Sequence, residues 1–247
     1  MFRYIYADIK RICKRVPFIV LSCILLFIFW ITLYTPGGEA AGMITAVDTT
    51  RSMTRPVLAV FGGFVAIMFI FGDGLKAKTS QIAIGIGISR RKIILGKWIE
   101  IVLLTIVCAF VIMLGIFLAD VMSPIEFSGK NWLEIIGMLL MAVLSVATYM
   151  AFTMILIYLT KATVLPLLLY IFLSTGLINK GIGFLGYIPI LERMHITSLT
   201  MTNLLNTFQS RLVLGYFSPL QFIGIAIYVV ASLILTYLIF RKQELDF

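Results

Sequence analysis

Long runs of apolar residues constrain the fold of this 247-residue chain more than any other feature. Hydrophobic residues make up 61% of the sequence and charged residues 13%, whereas soluble domains are about half apolar and a quarter charged. About 20 helical residues cross the hydrocarbon core of a bilayer, and backbone hydrogen bonds must be satisfied within each segment there. The sequence therefore predicts an all-α membrane protein with one transmembrane domain over residues 1–247.

Six of these runs are predicted to be membrane-spanning helices. They cover residues 16–35, 56–72, 98–120, 132–159, 163–180 and 219–240. The first run, from Val16 to Tyr34, is longer than the apolar region of a signal peptide, so we interpret it as a retained span.

The distribution of lysine and arginine predicts the side of the membrane that each loop occupies. If both termini are cytoplasmic, the loops at 73–97 and 160–162 are cytoplasmic too, and fourteen of the 20 basic residues lie on that side. Cytoplasmic loops of membrane proteins are enriched in Lys and Arg. The net charge of +9 is then explained by topology, which argues against nucleic-acid binding.

Residues 2–16 have the pattern of an amphipathic helix in the membrane interface. The apolar side consists of Phe2, Ile5, Tyr6, Ile9, Ile12, Cys13 and Val16, and the basic side consists of Arg3, Lys10, Arg11, Lys14 and Arg15. Such a helix places its apolar face in the lipid and its cations near anionic headgroups. The alternative interpretation is a polar tail without this role.

A second amphipathic pattern precedes the sixth span and predicts a short interfacial or re-entrant helix on the outer side. Its apolar stripe consists of Met201, Leu204, Leu205, Phe208 and Leu212. The region from Gly181 to Gly186, with Pro189, is expected to turn the chain into this helix. The helix serves as a structural plug or contacts a substrate.

The segment from 73 to 97 concentrates basic residues between two spans. Its cations are Lys76, Lys78, Arg90, Arg91, Lys92 and Lys97. Residues 75–88 show no amphipathic stripe and their isoleucines alternate as in a strand, whereas Ser89 has the side chain of an N-cap for a helix that continues into the third span. Cations in the first turn of a helix oppose its dipole. We therefore expect an external reason for Arg90, Arg91 and Lys92, either anionic lipid or an acidic protein partner.

The sequence lacks the groups that an enzyme needs. Its single histidine, His195, lies in an outer loop, and its three cysteines are scattered without metal-binding or disulfide spacing. No catalytic motif and no P-loop are present, so we expect no ATP site, metal or other cofactor in this chain. Glu100 and Lys97, one helical turn apart, are interpreted as a local ion pair at the interface.

The spans carry small and flexible side chains. Gly62, Gly63 and Gly137 permit close helix packing. The candidate substrate path in the fourth span consists of Met138, Met141, Ser145 and Thr148, for which structural packing is the alternative role.

These features together resemble the membrane subunit of ABC-2-type ATP-binding-cassette exporters. The matching residues are Phe71, Asp73, Lys76, Lys78 and Thr79, then Gly87-Ile88-Ser89-Arg90-Arg91-Lys92 and Lys97. Asp73 stands where glutamate is commoner in that family.

The resemblance implies a fold and a set of partners. Residues 1–15 would be the elbow helix, 73–97 the coupling segment, and 184–217 the outer re-entrant helices. Coupling would involve Asp73, Lys76, Lys78, Thr79, Ser89, Arg90, Arg91 and Lys92. Two copies of a separate cytoplasmic ATPase would bind ATP and Mg²⁺, and a second copy of this permease or a related permease would complete the transporter. Permeases of this length resemble exporters of amphipathic peptide toxins or bacteriocins in the plasma membrane of Gram-positive bacteria, the phenol-soluble-modulin exporter among them.

Three other functions stay open at the level of sequence. A permease subunit for drug or sodium extrusion would have a similar sequence pattern. A membrane immunity or scaffold protein would share the topology but would need no ATPase. An intramembrane enzyme is disfavoured by the missing catalytic groups.

Overall fold

The computed structural model describes residues 2–20, 22–24, 27, 58, 61–72, 79–122, 129–185, 196–213 and 216–242. All regular structure in these residues is helical, which confirms the predicted all-α class. Three of the described helices are long and apolar enough to cross a membrane, and a bent pair adds a fourth if it is counted as one span. The helices thus fit a membrane protein, but the predicted count of six spans is not confirmed.

The chain begins with α1, Phe2–Cys13, which confirms the predicted N-terminal helix. The helix breaks at Lys14 and Arg15, and residues 16–20 are helical again. Pro17 lies in the first turn of this second stretch, where its missing N–H needs no partner. Much of the predicted span 16–35 lies outside the described residues.

A π-helix, Phe61–Gly72, occupies part of the second predicted span and, with 12 residues, is shorter than a membrane crossing. Its two glycines bring the neighbouring helices close. A Cβ atom at Gly62 would lie 2.6 Å from Cγ1 of Val146, and one at Gly63 would overlap the Tyr170 ring. The predicted close packing at these glycines is confirmed.

The described part of the basic segment, from residue 79 on, forms a short helix, α2 (Thr79–Gly85), and the start of a long one, α3 (Arg90–Met122). Gly87 ends α2 with φ of 90°, and the amides of Gly87 and Ile88 donate to the carbonyls of Ile84 and Ala83. This pair of bonds is a Schellman motif, which favours glycine at that position. The alternating isoleucines of residues 82–88, whose structure the sequence left open, thus belong to a helix and its closing turn, and the start of α3 directly after Ser89 is confirmed.

One long helix and a bent pair of short helices follow next in the chain. α4, Gly129–Thr160, and α5, Val164–Ser174, are joined by a short turn at Lys161, and α6, Leu177–Leu185, bends from α5 by 65°. Gly176 makes this bend with φ of 73°. Of the region predicted to turn the chain, residues 181–185 are helical, and Gly186 and Pro189 lie outside the described residues.

The last helices are α7 (Ile196–Leu199), α8 (Met201–Val213) and α9 (Pro219–Lys242). The predicted apolar stripe of α8 is confirmed as one face, with Met201, Leu205 and Phe208 buried. It packs on α9 and α4 rather than on lipid, because Leu204 lies against Gly224 and Leu212 against Gly137.

The centre of the bundle is α4, which contacts α3, α5, α8, α9 and the π-helix. Its middle residues, from Ser145 to Ala151, are buried all round. By contrast α3 and α9 keep one apolar face exposed, as expected of helices that border lipid.

Candidate functional site

Aromatic contacts bring several helix ends together at one end of the bundle. The ring of Phe240 in α9 lies 4.9 Å from that of Tyr158 in α4, which lies 6.2 Å from the ring of Phe71 in the π-helix. Arg90, the first residue of α3, contacts the same end of α9. We call this region the basic end, since its exposed cations are Arg91, Lys92, Lys161, Arg241 and Lys242. The arrangement agrees with the prediction that residues 73–97, 160–162 and the end of the sixth span share one side.

Arg90 joins the start of α3 to the end of α9. Its guanidinium donates hydrogen bonds to the carbonyl oxygens of Phe240 at 2.8 Å and Arg241 at 2.7 Å, and lies 5.6 Å from the Phe240 ring centre. The last carbonyls of a helix have no intrahelical partner and carry the negative end of its dipole. Arg90 therefore caps α9, an internal role that the sequence reasoning missed.

Arg91 and Lys92 point to different surroundings. The guanidinium of Arg91 lies 4.9 Å from the Tyr237 ring centre, within the range of a cation–π contact. Lys92 is exposed. Of the three cations for which an external reason was expected, Arg90 and Arg91 thus also have internal contacts, and Lys92 is the best placed to meet a partner.

The short helix α2 presents apolar side chains at its outer surface. Ile82 is 57% exposed and Ile86 is 76% exposed, whereas Ala83 is buried and Ile84 packs on the core. Ile82 lies in α2 and Ile86 directly follows it, with its amide donating to the Ile82 carbonyl, so the two side chains share one face; Ser89, three residues later, is exposed too. The result is a small apolar surface next to the first turn of α3.

A buried network of charges links α1 to α3. The Lys97 ammonium bonds to Asp8 of α1 and donates to Glu100 of α3 at 3.0 Å, and Arg11 forms a 2.7 Å ion pair with Asp8. Glu100 is fully buried and Lys97 is 2% exposed. The predicted pair of Lys97 and Glu100 is confirmed, but it is covered by α1 and extended by two residues that the sequence reasoning did not connect with it.

Asp8 is the functional candidate that was missed in the sequence. It stands three residues after Ile5 and four before Ile12, so helical spacing places it beside the apolar face of α1. Ile5 and Ile12 are buried against the protein. The expectation that this face enters lipid is therefore wrong at these two residues, because α3 and the π-helix cover them.

The predicted lipid-facing cations of α1 divide into groups. Lys10 and Lys14 are exposed, and Lys10 lies 5.9 Å from the Tyr6 ring centre, whereas Arg11 is paired with Asp8. Arg15 is half-buried. The side chain of Arg3 lies outside the described part of the structure.

The proposed substrate path is packed in the core. Met138, Met141, Ser145 and Thr148 are all buried, and the hydroxyls of Ser145 and Thr148 donate to the carbonyls four residues earlier in α4. In this conformation these four side chains have the packing role that was the alternative interpretation.

Several predicted residues cannot be compared with the structure. Asp73, Lys76, Lys78 and His195 lie outside the described residues, and Thr79 begins α2 with its side chain outside them. Within the described ranges, no three His, Cys, Asp or Glu side chains are grouped as a metal site would require.

Comparisons with known proteins do not assign the chain to a family. No protein-family model matches the sequence, and no curated protein matches it. Function is therefore proposed from the contacts at the basic end and from the resemblance in sequence pattern.

Proposed function

We propose that this protein is the permease subunit of an ATP-driven exporter of the ABC-2 type, powered by a separate cytoplasmic ATPase. The observation that carries the proposal is the exposed apolar face of α2. Ile82 on this short helix and Ile86 directly after it are exposed, and the exposed Lys92 follows in the first turn of α3. An apolar surface followed by a cation suits insertion into a groove of another protein.

The charges at the basic end support a cytoplasmic position for this face. Five exposed cations lie at this end, whereas the acidic side chains of Asp8 and Glu100, which belong to the contact between α1 and α3, are buried. Since Lys and Arg mark the cytoplasmic side, we propose that both termini are cytoplasmic, in the plasma membrane of a bacterium. An ATPase with an acidic rim around an apolar groove fits this surface by charge and by shape.

Contacts within the chain favour the transmission of force from α2 into the bundle. α2 is joined to α3 by only a few residues, and Arg90 ties the start of α3 to the end of α9. A movement of α2 is therefore passed to α3 and α9 together. Two ATPases and a second permease copy complete the proposed transporter, in which the partner ATPase holds ATP and Mg²⁺.

The substrate class is proposed from the resemblance alone. An amphipathic or hydrophobic peptide, such as a toxin or bacteriocin, is the first choice, and a drug or sodium ion is the alternative. The buried state of Met141 and Ser145 means that any path along α4 requires the helices to separate or a second copy to contribute.

Co-purification from the native cell tests the proposal. We expect the tagged wild-type protein to carry a P-loop protein that hydrolyses ATP, and the Ile82→Glu/Ile86→Glu variant to lose it. Lys180→Glu is the matched control, since Lys180 is exposed on α6, remote from α2 in the chain. Purification without an ATPase, with peptide binding retained, would contradict the exporter and favour an immunity protein.

A further inference from the structure

The four charges between α1 and α3 alternate in sign along one line of contacts. Arg11 pairs with Asp8, Asp8 with Lys97, and Lys97 with Glu100. The network is neutral as a whole. Three of its four members are buried in the structure, and Arg11 is at its edge.

The same network is also neutral within each helix. Asp8 and Arg11 form an i,i+3 pair on α1, and Lys97 and Glu100 form an i,i+3 pair on α3. A buried ion pair that is split between two elements leaves uncompensated charges when the elements separate, which is strongly unfavourable. Here separation breaks the contact between Asp8 and Lys97 but leaves a carboxylate and a cation together on each helix.

The apolar part of the interface also permits separation. Among the described side chains of α1, Ile5 and Ile12 are the buried apolar ones, whereas Tyr6 is 67% exposed and Lys10 and Lys14 are exposed. An amphipathic helix with basic residues is stable in the membrane interface, where lipid covers its apolar face. Both positions of α1, on α3 and in the lipid, therefore satisfy its side chains.

We propose that α1 docks reversibly, alternating between a docked position on α3 and a released position in the lipid interface. The two self-neutralised pairs allow this exchange without stranding a charge. This reversible docking depends on contacts within the chain and goes beyond the proposed export function. The proposal therefore applies equally if the chain is an immunity protein.

Paired substitutions separate this proposal from a permanent bridge. The same-helix double variants Asp8→Asn/Arg11→Gln and Lys97→Met/Glu100→Gln each remove one complete pair, and we expect both to accumulate in membranes as the wild type does. The cross-helix variant Asp8→Asn/Lys97→Met leaves Glu100 buried without its cation, and we expect it to accumulate several-fold less. Normal accumulation of the cross-helix variant, with loss of both same-helix variants, would overturn the proposal.

A distance measurement tests the release itself. Spin labels at Lys10→Cys and Lys92→Cys, in a chain with Cys13, Cys23 and Cys108 changed to Ser, report the separation of α1 and α3 in lipid nanodiscs. We expect two distances in the parent chain, with the longer one enriched by Asp8→Asn/Arg11→Gln.

The variant Glu100→Gln should act in the opposite direction. It removes the partner that Lys97 keeps after release, so Lys97 then depends on Asp8 and the docked distance should gain population. One distance, unchanged in the parent chain and in both variants, would overturn the proposal.

Discussion

Replacing Arg90 by alanine should loosen the end of α9 without preventing insertion of the spans. The substitution removes two hydrogen bonds from a charged donor, at 2.8 and 2.7 Å, and one contact with the Phe240 ring. A hydrogen bond to a charged group contributes about 1.5–3 kcal/mol and a cation–π contact about 0.5–1 kcal/mol at exposed sites. Because one of the two acceptors is exposed, we expect a total loss of roughly 2–3 kcal/mol.

Amide hydrogen exchange of the purified protein in nanodiscs measures this loss of stability at the end of α9. A local destabilisation of that size corresponds to roughly 30–150-fold faster exchange in the last two turns of α9. Arg90→Lys should fall between the wild type and Arg90→Ala, since lysine keeps the charge but lacks the planar fork. Lys92→Ala is the neighbouring control and should leave exchange in α9 unchanged. Equal exchange in Arg90→Ala and Lys92→Ala would refute the cap.

Three further predictions concern packing, docking and assembly. Gly63→Ala should lower the free energy of unfolding by about 1–3 kcal/mol, because the added Cβ overlaps the Tyr170 ring. Gly181→Ala has open space around it and should not destabilise the protein. Scanning fluorimetry measures the thermal unfolding midpoint of each variant, and equal midpoints would contradict the close packing at Gly63. Lys92→Glu should reduce ATPase stimulation in the reconstituted complex, while the thermal unfolding midpoint stays as in the wild type. Lys180→Glu is the control and should leave the stimulation unchanged. Full stimulation in Lys92→Glu would show that Lys92 is not part of the docking surface. Deletion of α1 should lower the yield of the assembled complex but leave ATP binding by the isolated partner unchanged, and an intact complex would show that α1 is dispensable for assembly.

The order of the helices was predictable because long apolar runs in lipid satisfy their backbone hydrogen bonds by forming helices. α3, α4 and α9 follow the predicted third, fourth and sixth spans to within a helical turn or two, except that α3 begins earlier, at Arg90. The run before α2 ends in the 12-residue π-helix, a form that hydropathy does not distinguish from an α-helix.

The local details that the sequence left open depend on glycines that act through backbone conformation. The alternation of Ile82, Ile84, Ile86 and Ile88 left the structure of this stretch undecided, and Gly87 adopts the left-handed conformation that closes a helix. Likewise the bend after α5 is made by Gly176, while the glycines later in α6 stay helical. Sequence spacing alone does not say which glycine takes a positive φ.

The site was predictable in composition but not in its pairings. The pair of Lys97 and Glu100 is local and follows from helical spacing, whereas Asp8 and Lys97 are 89 residues apart. The same holds for Arg90 and the carbonyls of α9, which are brought together by the packing of antiparallel helix ends. Some of the cations that were predicted to contact lipid or a partner, such as Arg11 and Arg90, thus bind groups within the chain.

The docking of an ATPase on α2 is the central claim, and site-specific photo-crosslinking from residue 86 tests it most directly. A photoreactive amino acid at Ile86 in the native cell should capture a protein that contains a P-loop and hydrolyses ATP, whereas the same probe at Lys180 should not. Crosslinks from residue 86 to lipid alone, or to a protein without ATPase activity, would contradict the proposed function.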